Sequence, residues 1–187
     1  MQSQALIPSL LDSRPASRLT EATLVLVGSL ALALLAQITI PLYFTPVPIT
    51  GQTFGVAVMA LLWGRKRALA VFALYIAEGA AGLPVFAQGA SGLFMGPTLG
   101  YLVGMAASCF VVGSLSDRGY AKRFSTALTA CAAGSVCVFT FGLIGLSFFM
   151  PKELLVEAGF LPFIPGDIIK SLLAAAVVTQ GTRGFVK

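Results

Sequence analysis

The chain has 187 residues, 57% of them hydrophobic and only 10% charged, with 12 Lys and Arg against 7 Asp and Glu for a formal charge of +5; its mean hydropathy is +0.93. A soluble domain carries roughly 25% charged residues, so this composition excludes one and predicts an integral membrane protein. The absence of histidine excludes histidine-based metal sites, proton relays and catalytic triads, and Cys109, Cys131 and Cys137 lack metal-ligand spacing and read as small core side chains.

In chain order, residues 1–19 include Pro8, Asp12, Arg14, Pro15 and Arg18 but no long apolar core, so they read as a short polar arm rather than a cleaved signal peptide. No charge lies between Glu21 and Arg65, from Gly79 to Ser116, or from Phe124 to Met150. Each stretch is long enough for at least one helical span, which needs about 20 apolar residues. Breaks in charge, proline and glycine give six predicted spans: 20–41, 52–64, 66–81, 97–116, 123–149 and 163–183. Their apolar runs are continuous rather than alternating, which predicts helices and not barrel strands. The second and third spans are short and separated only by Gly64-Arg65-Lys66-Arg67. They form either one tight helical hairpin or helices that start part-way down and are completed by re-entrant loop. The expected fold is an all-α integral membrane domain of six transmembrane helices over 1–187.

Lysine and arginine set the orientation. Arg14 and Arg18 precede span one, Arg65, Lys66 and Arg67 join spans two and three, Arg118, Lys122 and Arg123 join four and five, and Arg183 and Lys187 follow six. Six spans put all of these on one side, with only Lys152 and Lys170 toward the other. Both termini are therefore expected in the cytoplasm. Because the basic residues cluster between spans, the positive charge implies no nucleic-acid partner.

Two outer loops differ from the rest. The stretch Pro41 to Thr53 and the stretch Gly79 to Thr98 are apolar, aromatic and stiffened by proline. Such loops suit water poorly and read either as a lid over a cavity or as a cover for helix ends. Phe44, Phe86 and Phe94, with Gln88, Ser91, Thr98 and Tyr101, give the mixture expected of an apolar pocket with a few placed polar groups. Glu78, at the outer end of span three, reads as a solvated or capping carboxylate.

Near the end of the chain, Pro165-Gly166-Asp167-Ile168-Ile169-Lys170 places an acid and a base three residues apart, on one face of the last span. Asp167 suits the positive N-terminal end of a helix, and Lys170 can snorkel to the interface. Yet Lys170 lies on the side that basic residues otherwise avoid, and an intramembrane charge is a site hypothesis. The pair can neutralise one another while Asp167 accepts hydrogen bonds from a ligand and Lys170 donates them.

Small residues recur as Ser29-xxx-Ala33, Gly100-xxx-Gly104 and Gly142 with Gly145. They imply close helix packing, with a docking face for another subunit as the alternative on span one. Gly166-Asp167-Ile168-Ile169-Lys170-Ser171 lacks the glycines of a phosphate-binding loop, so no ATPase is expected in this chain.

Taken in order, Thr45-Pro46-Val47-Pro48-Ile49-Thr50-Gly51-Gln52-Thr53, Gly82-Leu83-Pro84-Val85-Phe86-Ala87, Gly96-Pro97-Thr98-Leu99-Gly100-Tyr101-Leu102-Val103-Gly104 and Pro162-Phe163-Ile164-Pro165-Gly166-Asp167-Ile168-Ile169-Lys170 resemble the BioY family, the biotin-specific S components of energy-coupling factor (ECF) transporters. The resemblance covers essentially the whole chain. It implies an S-component fold in a prokaryotic plasma membrane, with biotin as transported ligand and neither cofactor nor metal. It implies partners as well: a transmembrane coupling protein and two cytoplasmic ATP-binding subunits, and a homo-oligomer is a further option. Asp167 and Lys170 match the family's polar ligand positions, Tyr101 matches its motif at the start of span four, and Gln88 is placed near the ureido group by position. The coupling motif of the first helix is only partly present, as Ser29-xxx-Ala33. Two other functions compete: an S component for a different small vitamin, and a membrane enzyme using Lys170 as nucleophile or base, for which no third catalytic group is visible.

Overall fold

The computed structural model describes residues 17–92 and 96–183, with side chains to residue 181. Helix α1 (Arg18–Gln37) begins at Ser17, whose hydroxyl accepts from the Thr20 amide at 3.1 Å, and carries Glu21 in its first turn. The Ser17 hydroxyl satisfies a free donor of the helix start, and the Glu21 charge suits its positive end. The predicted span 20–41 ends earlier than expected because Ile38 turns extended. Thr39–Ile40 (β1) then pairs antiparallel with Ile49–Thr50 (β2), Thr39 opposite Thr50. Two residues per strand leave no periodic signal in the sequence.

Helix α2 (Gln52–Ala80) is broken at Gly64, where φ is 72° and ψ −176°. Glycine enters that region without the penalty a Cβ imposes. The side-chain amide of Gln52 donates from Nε2 to the hydroxyl of Tyr75 at 2.7 Å, whereas 23 residues of straight helix span about 35 Å. The chain therefore reverses at Gly64, and the two limbs lie side by side as the helical hairpin that the short predicted spans 52–64 and 66–81 allowed. Asp117 accepts from the Arg65 amide at 3.2 Å, satisfying the start of the second limb.

Helices α3 (Leu99–Asp117) and α4 (Phe124–Leu146) pack at close range. A side chain at Gly104 would meet the backbone of Val138 at 2.7 Å, and one at Gly100 would meet the backbone of α4. Those small residues serve helix packing, as expected. A short helix α5 (Leu155–Gly159), not anticipated from the sequence, precedes α6 (Ile164–Arg183). Leu32, Leu61, Val71, Tyr75, Val112 and Val178 form the buried core. Equally apolar side chains cover the outside, including Leu30, Leu34, Val136, Ile144 and Val177. Helices apolar on all sides are what a lipid environment permits. Among the described residues, four segments are long and apolar enough to cross a membrane: Arg18–Gln37, Leu99–Asp117, Phe124–Leu146 and Lys152–Gly181. The hairpin α2 is not one of them, having Arg65, Lys66 and Arg67 at its turn.

Glu21 at the start of α1 forms an ion pair with Arg67 just past the Gly64 turn. With Asp117 also at that turn, the start of α1, the hairpin tip and the end of α3 lie at one end of the bundle. The hairpin's open end, carrying Gln52 and Tyr75, lies at the other.

Candidate functional site

At the hairpin's open end, a cavity of about 310 Å³ lies between the β1–β2 loop, the loop after α2, and helices α3, α4 and α6. Of the residues expected at a site, Asp167, Lys170, Gln88, Tyr101, Phe86 and Thr98 line it. Phe44 does not: it projects outward, 62% exposed, from the far end of the β1–β2 loop. Phe94 lies outside the described residues.

The floor comes from α6 and the start of α2. Lys170 donates from Nζ to the hydroxyl of Thr53 at 2.7 Å and to the carbonyl of Thr50 at 3.1 Å. It makes no direct ion-pair contact with Asp167, although the two opposite charges still act on one another across the gap. Three residues along a helix align two side chains without forcing their tips together, and Thr50 and Thr53 hold the ammonium instead. One of its three N–H groups is left over for another acceptor. Asp167 accepts no hydrogen bond from a protein group among the described residues, so its oxygens face the cavity free to accept. The carboxylate also borders a second cavity of about 10 Å³, lined by Ser108, Ser135 and Ser171 among others. That space suits a single water molecule.

The lid is the loop after α2. Phe86 packs edge-on against Tyr75 with ring centroids 5.3 Å apart, and its ring rests on Gly79, where any Cβ would strike it. The Tyr75 hydroxyl accepts from Gln52 and donates to the Val85 carbonyl at 3.0 Å. Gln52 in turn accepts from the Thr50 hydroxyl at 3.0 Å. One hydrogen-bonded chain thus runs from the residue that holds Lys170 to the lid.

Tyr101 presents its ring to the cavity, while its hydroxyl donates to the Gly159 carbonyl at 2.7 Å. Its contribution is a wall, fixed in place by α5 and by Phe163, whose ring lies 6.1 Å away. Glu78 is half-buried and accepts from Ser29, which is fully buried. The first residue of the Ser29-xxx-Ala33 pair therefore faces the hairpin, not a surface open to another subunit.

Sequence reasoning did not single out Gln52, Thr53, Met105, Phe139 or Phe163, all of which line the cavity. Thr53 and Gln52 stood within a quoted loop motif, and their position at a helix start beside Thr50 was the available signal. Met105 and Phe139 lie within uniformly apolar spans, where no residue type marks the inward face.

A model of the BioY family matches residues 8–187. Biotin transporter BioY of Thermotoga maritima is 37% identical over 148 residues, covering 78% of this chain and 85% of that protein. Biotin transporter BioY of Rhizobium etli is 37% identical over 160 residues, covering 78% of this chain and 82% of that protein. A crystal structure of the S-component for biotin from an ECF-type ABC transporter superposes with a TM-score of 0.81 at 26% identity, covering 91% of this chain and 95% of that one.

Proposed function

Because the chain belongs to the BioY family, we propose that it is the biotin-binding membrane component of an uptake transporter, and that the cavity above Asp167 and Lys170 is where biotin binds. It is a transport component and not an enzyme, and its all-helical fold is that of an S component. The observation that carries the site is the unpaired Asp167 carboxylate beside a Lys170 ammonium with one donor to spare, both at the floor of a cavity otherwise walled by apolar and aromatic side chains.

Biotin offers two ureido N–H donors, a ureido carbonyl, an apolar thioether ring and a valerate carboxylate. Asp167 suits a ureido N–H and Lys170 the ureido oxygen. The floor then remains neutral with its ligand in place. A carboxylate pressed to the same floor brings a second negative charge beside Asp167, which is costly in a partly dehydrated site. The ring system therefore points down against Phe86, Tyr101 and Phe163, and the carboxylate points to the rim near Ser91, Thr98 and Gln88, which puts Gln88 at the opposite end of the ligand from the ureido group expected for it. A volume near 310 Å³ lies at the lower end of the range for small-molecule sites, about 300–1,000 Å³, and favours a compact vitamin.

The reversal at Gly64 supports six crossings in one membrane domain, with the hairpin supplying two short ones. The gathering of basic residues at the hairpin-tip end supports placing that end, and both termini, in the cytoplasm of a prokaryotic cell. Energy then comes from outside this chain, from a transmembrane coupling protein and two cytoplasmic ATP-binding subunits; a homo-oligomer is compatible with the same site.

Titration of the purified protein with labelled biotin, in competition with a panel of other vitamins, tests the ligand. Saturable binding displaced by biotin alone is expected. Displacement by a different vitamin, with biotin ineffective, identifies an S component for that vitamin instead.

A further inference from the structure

Helix α1 contributes no residue to the wall of the cavity, yet its last residue reaches the lid. The side-chain amide of Gln37 donates from Nε2 to the Phe86 carbonyl at 3.1 Å and accepts at Oε1 from the Gly89 amide at 3.0 Å. A further donation to Ala33 at 3.1 Å ties it to its own helix. Between the two clamped groups sit Ala87 and Gln88, both lining the cavity. Gln88 has φ 60° and ψ 27°, and among the described residues it is the one non-glycine with positive φ. A side chain larger than Asn or Asp rarely adopts that conformation unless its surroundings impose it.

An amide side chain supplies a donor and an acceptor from one planar group without any change of protonation. A carboxylate at position 37 sets a second acceptor against the Phe86 carbonyl, and a thioether supplies neither bond with useful strength. Tyr75, from the second limb of α2, holds the carbonyl of the preceding residue, Val85, at 3.0 Å, and Gln37 Nε2 lies 3.5 Å from the same oxygen. The lid is thus gripped by two helices, and the α1 grip brackets the strained residue.

Building on the biotin site proposed above, we infer that Gln37 is a positioning residue: by clamping the Phe86 carbonyl and the Gly89 amide it holds Gln88 over the bound ligand, so that α1 governs ligand retention without touching the ligand. Gln37 is exposed at a helix end, so its replacement leaves the core intact.

The test uses the full-length protein as wild type, Gln37→Met, Gln88→Ala and the double variant, each checked for an unchanged melting temperature, with Gln37→Glu as a second disruption of the clamp. Biotin dissociation rates and hydrogen exchange of amides 86–90 without ligand are measured. Gln37→Met and Gln37→Glu are expected to raise lid exchange in the ligand-free protein. They are also expected to speed biotin release about tenfold, with the double variant within about twofold of Gln88→Ala because the two residues act as a unit. Wild-type lid exchange in Gln37→Met, or effects of the two substitutions that multiply independently, overturns the inference. If the wild type binds no biotin, it is the ligand assignment that fails, and the ligand-free exchange still decides whether Gln37 holds the lid.

Discussion

The ammonium of Lys170 rests on the hydroxyl of Thr53 at 2.7 Å, a contact between the last helix and the first turn of the hairpin. In the proposed site it leaves Asp167 available to the ligand and fixes the height of the remaining Lys170 donor. Removing the acceptor while keeping the shape isolates this role. Thr53→Val is expected to weaken biotin binding about tenfold, since a hydrogen bond to a charged group contributes about 1.5–3 kcal/mol, while Thr53→Ser retains most of the affinity. Equilibrium binding of both variants, with melting curves as a control, checks this.

The orientation of biotin separates two kinds of contact at its acidic end. With the ureido group on the floor and the carboxylate at the rim, biotin amide is expected to bind within about fivefold of biotin, because exposed ion pairs contribute about 1 kcal/mol or less. A direct bond between the carboxylate and Lys170 predicts a loss of at least about a hundredfold for the amide. Competition of unlabelled biotin amide against labelled biotin distinguishes the two.

Phe44 and Phe86 belong to the two loops flanking α2 but differ in burial, at 62% and 8% exposed. Phe44→Ala is expected to leave biotin affinity within about twofold of wild type, as is usual for surface positions. Phe86→Ala removes a ring packed on Tyr75 and is expected to cost about 3 kcal/mol of local stability, seen as a lower melting temperature and weaker binding.

Gly79 gives a complementary test of the same seat. Gly79→Ala places a methyl group where the Phe86 ring now lies and is expected to cost about 1–3 kcal/mol through overpacking. Biotin release should quicken as the lid is displaced. Phe86→Leu in that background relieves the clash and should recover part of the melting temperature.

Much of this architecture was legible in residue type alone. Apolar run length located the long helices, and Gly64 with the triplet Arg65-Lys66-Arg67 marked a break, because charge and glycine both interrupt membrane segments, while a hairpin and re-entrant helices both remained compatible with it. Asp167 and Lys170 stood out for the same reason. What the spacing left open was whether they touch: i and i+3 fixes a common face, but whether the tips meet depends on Thr50 and Thr53, more than a hundred positions away. Phe44 was misassigned on composition, since an aromatic residue in a proline-rich loop carries no sign of whether it faces the cavity. The small-residue pair on α1 was ambiguous until Ser29 was seen bonded to Glu78. The inward faces of Met105 and Phe139 could not be read, because both sides of a membrane helix are apolar.

The account rests most directly on Asp167 as the acceptor for a neutral ligand group, and calorimetric titration of wild type and Asp167→Asn with biotin tests it. Asparagine keeps the shape but replaces one carboxylate oxygen with a donor facing the ureido N–H and leaves the Lys170 charge uncompensated. Saturable one-to-one binding to the wild type, weakened by about a hundredfold or more in Asp167→Asn, is the predicted result. Wild-type affinity in Asp167→Asn would contradict it.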